Sequence, residues 1–192
     1  HYFQQQTYDS DYQQDMQLPF KSSNRTVSLL NFVTLFVPKQ MVTANVYFAL
    51  SRTYLIINDE EARQLSGEYS LVNAAKKIHE MGPKYVVIKK GEHGALLFNN
   101  ENMFYAPALP LAEVFDPTGA GDTFAGGFCG YLSKTGNISF ENMKSAIIYG
   151  SNLASFCVEK FGTERLQELT NIEVKDRLEA FKKLTQFDIN IS

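Results

Sequence analysis

The chain is poor in metal-binding side chains: its 192 residues hold two cysteines and three histidines. Cys129 and Cys157 fall inside apolar helical patterns, and His1, His79 and His93 complete no ligand set for zinc. Both cysteines read as reduced core thiols of a cytoplasmic protein. A basic excess is missing as well, since 18 lysines and arginines face 21 aspartates and glutamates, for a formal net charge of -3. With no positive field to hold a polyanion, neither a nucleic-acid protein nor a polybasic membrane binder is expected, and small molecules become the expected partners. Long apolar runs are lacking too. The most apolar stretch near the front, Val27–Val37, has 11 residues and contains Asn31, whereas a bilayer crossing needs ~20. Neither a basic leader nor a small-residue cleavage site is clear around it.

What is present suffices for a core. Hydrophobic residues make up 44% of the chain and aromatics 13%, and a chain of this length buries on the order of 70% of its unfolded surface. That excludes disorder throughout and fits one domain, with room for a lid or tail. Residues 1–20 stand apart, with six glutamines, three aspartates, no lysine or arginine and no apolar period. Residues 1–50 are left unassigned, as disordered or non-homologous sequence, and the informative part is 51–192.

Thr53–Ile57 is a β-branched and aromatic run followed by Asn58, a good helix N-cap, and by Asp59-Glu60-Glu61 in the favoured first turn. That helix stops at Gly67. A second starts at Ser70 and ends at Gly82-Pro83, and Tyr85–Ile88 is apolar enough to be a central, parallel strand. Gly91-Glu92-His93-Gly94 turns the chain into Ala95–Phe98 as a hairpin, and Met103–Ala106 reads as a further strand. Glu113–Phe115 then reads as a strand end before a long helix that runs to about Leu132. Later helices cover roughly Phe140–Lys160, capped by Ser139, and Glu173–Leu184. Strands alternating with helices in this order give an α/β sandwich with a mainly parallel sheet.

The sharpest feature is Asp116-Pro117-Thr118-Gly119-Ala120-Gly121-Asp122, with Gly126, Gly127 and Gly130 inside the helix that follows. Each interior glycine costs about 1 kcal/mol of helix propensity relative to alanine, so a close approach is expected along it. A helix start lined by small residues offers unpaired N–H groups and positive dipole character to an anion. A dinucleotide fingerprint would need glycine at position 124, which is Phe124, and a Walker loop would need a Gly-Lys pair that the loop lacks. Asp122 repels phosphate at rest, so a loop that only bound phosphate would avoid it. A base that takes a proton from an attacking hydroxyl belongs there.

Asp-Pro-Thr-Gly-Ala-Gly-Asp-Thr-Phe-Ala-Gly-Gly-Phe resembles the second signature of the PfkB (ribokinase-like) family of carbohydrate and nucleoside kinases. The likeness extends over about Tyr54–Ile189, roughly the carboxy-terminal half of a usual member. It implies a ribokinase-like three-layer α/β/α sandwich whose amino-terminal half and lid are missing. It implies Asp122 as catalytic base and the amides of Gly119, Ala120 and Gly121 as an anion hole. Asn58 and Glu61 look like the family's Asn-x-x-Glu motif, which holds magnesium through water, although an N-cap Asn with Glu at N3 is also an ordinary capping arrangement. Lys89 and Gly91 are similar to the strand and turn beside the nucleotide, with the departure that many relatives carry threonine where Lys89 aligns. Two exposed lysines flanking a hairpin is the plainer account. Asn152 matches the rim of the adenine site, against a plain surface amide. Asp116 and Thr118 border a loop that binds potassium in many relatives, against a simple turn. The implied activity is ATP- and magnesium-dependent phosphoryl transfer to a sugar or nucleoside, and the resemblance leaves room for a homodimer of the full-length form without fixing the oligomeric state. The rival is a truncated fragment that binds nucleotide or a partner and turns nothing over.

Overall fold

The computed structural model describes residues 53–186 and 188. The expectations for residues 1–50 lie outside them. Strand β1 (Tyr54–Asn58) runs directly into helix α1 (Asp59–Ser66), and α2 (Leu71–Glu80) leads to β2 (Tyr85–Lys89). A short 3-10 turn (Gly91–His93) connects β2 to β3 (Ala95–Phe98), and β4 (Met103–Ala106) follows. The rest is helical: α3 (Ala120–Thr135), α4 (Phe140–Cys157), the single turn α5 (Glu164–Gln167) and α6 (Asn171–Thr185). No described helix is long and apolar enough to cross a membrane.

The four described strands lie in the order β1-β2-β3-β4. β1 and β2 are parallel, as the β-α-β grammar requires, and place Asn58 beside Lys89 at their carboxyl ends. The β2–β3 and β3–β4 pairs are antiparallel, so this part of the sheet is mixed rather than mainly parallel. Connection length explains it, because the short links after β2 and β3 allow only hairpins, whereas a parallel return needs a crossover of a dozen or more residues. Side-chain alternation then sorts two cores. Leu55, Ile57, Val86 and Ile88 pack with Ala62, Ala74 and Ile78 of α1 and α2. Ile56, Val87 and Leu97 pack on the opposite face with Phe124, Phe128, Met143 and Ile147 of α3 and α4. The result is helix, sheet and helix in three layers.

The expected close approach of α3 is found at one of its three interior glycines. A Cβ on Gly127 would lie 3.0 Å from the Cα of Gly150 on α4, and one on Gly150 would lie 2.6 Å from the carbonyl oxygen of Phe124. Gly126 and Gly130 meet nothing within 4 Å among the described residues. Gly150→Ala should therefore destabilise by ~1–3 kcal/mol, since two backbones have to separate. Gly130→Ala should instead gain about 0.5–1 kcal/mol from helix propensity. Denaturant midpoints of the two variants would test this pairwise, and equal shifts would contradict it.

Behind α4 the chain is closed by ion pairs that periodicity does not reveal. Arg165 reaches Glu159 at 2.9 Å and Glu173 at 2.5 Å, and Arg177 reaches Glu159 at 2.5 Å while its guanidinium carbon lies 3.4 Å from the Phe156 ring centroid. Glu173 also accepts from the Thr170 amide and hydroxyl in the capping box that starts α6. Arg165 first, and then Thr170, pull the Glu173 carboxyl down from 4.5 to about 2. A carboxyl depressed in the folded state stabilises above its unfolded value and loses that contribution as pH falls through the folded one. The difference in thermal midpoint between the wild type and Glu173→Gln should thus be constant above pH 4.5 and close toward about pH 2. A difference that did not change with pH would leave the pair without a stabilising part.

Candidate functional site

Three pieces of chain meet at the carboxyl end of the β1–β2 pair, and a fourth leads into one of them. The first is the start of α1. Asn58 accepts the Glu61 amide at 2.7 Å, and Glu61 Oε2 accepts the Asn58 amide at 2.7 Å, so the capping box is formed. One carboxylate oxygen of Glu61 is used in this way, and the other makes no hydrogen bond among the described residues. Capping and ligand work are thus compatible in the same side chain.

The second piece is the first turn of α3. Gly119, with φ +82°, caps the helix in a left-handed conformation that a side chain would strain, and Asp122 stands exposed one turn on. The Ala120 amide already donates to Pro117 O at 3.2 Å, and the first helical bond is Thr123 N–H to Gly119 O at 2.9 Å. Among the described residues this leaves the amides of Gly119, Gly121 and Asp122 unpaired. Of the three expected amides, that of Ala120 is thus engaged in the turn, and the amide of Asp122 stands beside the other two without an acceptor among the described residues.

Lys89 is the third piece. It shares the side-chain parity of Tyr85 and Val87, which face α3, so the end of β2 projects it at the α3 start rather than into solvent. Its Nζ lies 2.8 Å from where a Gly121 Cβ would be, so the ammonium group occupies the space beside that glycine. Burial lowers the Lys89 pKa, and the charges of Glu61 and Asp122 act in the opposite direction. Both carboxylates thus feel the same cation. Lys90, by contrast, turns to the Tyr105 ring, with Nζ 5.9 Å from its centroid. Gly91, with φ +55°, opens the turn beside Lys89 and is exposed.

The fourth piece is the loop before α3. Glu113–Phe115 forms no strand, contrary to expectation. The Phe115 and Asp116 amides instead donate to Val158 O at 2.8 and 3.3 Å, which docks the segment on the end of α4. Asp116 accepts the Thr118 amide at 2.9 Å, and this bond lowers its pKa, so the turn role is formed. The carbonyls of Thr118 and Gly162 both approach the Cys157 thiol, at 3.8 and 3.7 Å.

Asn152, expected either at the rim of the adenine site or as a surface amide, lies in the interior of the described residues. It is 0% exposed, and its amide donates to Val174 O at 2.9 Å, tying α4 to α6. Its surroundings are interior because α6 folds back over the face that a lone helix would have left open. The described residues contain no group of three or more His, Cys, Asp or Glu side chains able to hold a metal. A magnesium ion at Glu61 would therefore keep its waters and draw further ligands from phosphates, which is how that ion commonly binds.

The sequence pattern of the pfkB family of carbohydrate kinases matches residues 28–169, and takes in all four pieces. The chain belongs to this family. The match begins at residue 28, inside the segment that had been left unassigned. Among curated pfkB-like relatives, a cytidine kinase of Thermococcus kodakarensis is 42% identical over 88 residues, which are 44% of this chain and 31% of that protein. A ribokinase of Arabidopsis thaliana is 30% identical over 111 residues, 55% of this chain and 28% of its own length. In three dimensions the chain is similar to aminoimidazole riboside kinase from Salmonella enterica complexed with the riboside and an ATP analogue. That match has a TM-score of 0.60 at 28% identity and covers 68% of this chain and 43% of that one. The fold is thus ribokinase-like, and the chain spans 28% to 43% of the three relatives named here.

Proposed function

We propose that this chain carries the phosphoryl-transfer side of an ATP- and magnesium-dependent kinase acting on a hydroxymethyl group of a sugar or nucleoside. The observation that carries the reading is the placing of an exposed Asp122 beside unpaired amides at the start of α3, opposite Glu61 and Lys89. In this reading Asp122 accepts the proton of the attacking alcohol. The amides of Gly119, Gly121 and Asp122, with Ala120 holding the turn, stabilise charge on the group in transit. Glu61, oriented by Asn58, would hold magnesium through water, and the ion supplies charge neutralisation between phosphates. Lys89 and the Gly91 turn form the nucleotide side. A monovalent cation such as potassium is proposed for the loop from Asp116 to Thr118. The relatives support this reading, since they include a cytidine kinase, ribokinases and a riboside kinase bound to an ATP analogue. The cytoplasm is the proposed setting, in keeping with two free thiols.

One observation favours a second reading, a fragment that binds nucleotide without turnover: the chain covers 43% of the riboside kinase. Titrating the chain with ATP and magnesium, then assaying ribose, fructose, cytidine and adenosine as acceptors, separates the two. Transfer to any of them supports the kinase. Binding alone supports the fragment, and no binding removes both.

A further inference from the structure

Resting on the kinase reading, we infer that Lys89 grips the terminal phosphoryl group of the nucleotide itself, as a side-chain cation added to the backbone amides of the α3 start. Three observations carry this.

The first is position. The Nζ of Lys89 fills the space that a Gly121 side chain would take, 2.8 Å from the ideal Cβ, in the turn that carries Asp122. A cation placed to meet the base or the ribose would have no reason to occupy the slot next to the transfer residue.

The second is sign. A helix start is the positive end of the helix and favours anions, so a lysine pressed against it is unfavourable while the helix start is otherwise empty. The amides of Gly119, Gly121 and Asp122 have no acceptor among the described residues, so the ammonium stands beside a second positive source that is also unsatisfied.

The third is the lack of a direct partner among the described residues. Lys89 is half-buried, its neighbours Glu61 and Asp122 act on it through space, and it closes no ion pair with either. Withdrawing an ammonium from water without a partner is costly, and a multiply charged oxyanion held between the ammonium and the amides removes that cost. A terminal phosphate meets that demand. A neutral sugar hydroxyl does not.

The test uses the 192-residue chain with magnesium and three probes measured by calorimetry: AMP-PNP, ADP and AMP. The wild type should prefer AMP-PNP to ADP. Lys89→Met should weaken AMP-PNP by roughly ten- to a hundredfold, the range of a charge-assisted contact, and change AMP little. Lys89→Arg should keep most of the preference. Gly121→Ala, whose methyl meets only the flexible end of Lys89, should displace the ammonium and move toward the Lys89→Met result. Circular dichroism melts establish that each variant is folded, and if Lys89→Met is not, the other two substitutions decide. AMP-PNP binding unchanged in Lys89→Met, or equal losses for all three nucleotides, would overturn the inference and leave the kinase reading standing. A wild type that bound none of the probes would overturn both.

Discussion

Asp122→Asn is expected to reduce phosphoryl transfer to an alcohol acceptor by roughly 10²- to 10⁴-fold, the usual contribution of a positioned general base. The substitution keeps the size of the side chain and its place in the first turn of α3, so the unpaired amides beside it stay where they are. Nucleotide affinity should accordingly change little, or rise slightly, because a carboxylate that repels phosphate has been removed. The pattern to look for is a loss in kcat with nucleotide binding kept. It is measured in the 192-residue chain with ATP, magnesium and the acceptors named above, with Asp122 intact as the reference. Loss of binding and turnover together would mean that position 122 shapes the loop and does not move the proton. Retained turnover would remove Asp122 from the chemistry altogether.

The second large effect belongs to Gly94. Its φ of +86° and ψ of -146° lie where side chains are not accommodated, and a Cβ there would be 2.0 Å from the carbonyl oxygen of Ala106 and 2.8 Å from Pro107 Cα. Both obstacles are backbone, so no rotamer change relieves them. To admit a methyl group, β4 has to separate from β3, or the turn that gives the Lys90 amide its 2.7 Å bond to Gly94 O has to open. Strain and overpacking together put the cost of Gly94→Ala at roughly 2–6 kcal/mol. That is comparable with the whole stability of an ordinary domain, about 5–15 kcal/mol. Gly91→Ala is the control, since Gly91 has a positive φ but nothing within 4 Å of a Cβ, and only strain of ~1 kcal/mol is expected. Urea midpoints of the two variants should differ widely. If they coincide, the approach of Ala106 to this turn does not limit it.

These two residues also show which features were legible in the sequence. The place of Asp122 in the first turn of α3 was readable because the Gly-Ala-Gly-Asp run, its flanking turn and the helix start are contiguous. The caps at Asn58, Gly67 and Ser139 were readable for the same reason, and helix ends fall within one to three residues of the expected places. Features that depend on distant partners were not. The direction of Lys89 follows from which face of β2 is covered by α3, a choice that a five-residue apolar strand does not reveal. The burial of Asn152, which excludes the surface amide, comes from a segment 22 residues later, through Val174. The Arg165, Glu159, Glu173 and Arg177 ion pairs carry no periodic signal at all. Three glycines in α3 seemed equivalent, yet only Gly127 meets the facing helix, since contact depends on where α4 crosses. Mixed strand pairing was half visible: the hairpins were anticipated, but they were not carried through to the character of the sheet.

The most direct measurement is a crystal structure of the chain grown with AMP-PNP and magnesium. The account predicts the terminal phosphoryl oxygens against the amides of Gly119 and Gly121, with the Asp122 carboxylate turned toward the phosphorus and the Lys89 ammonium on the same group. An analogue bound away from the α3 start, or one bound there with Asp122 turned from it, would contradict the account.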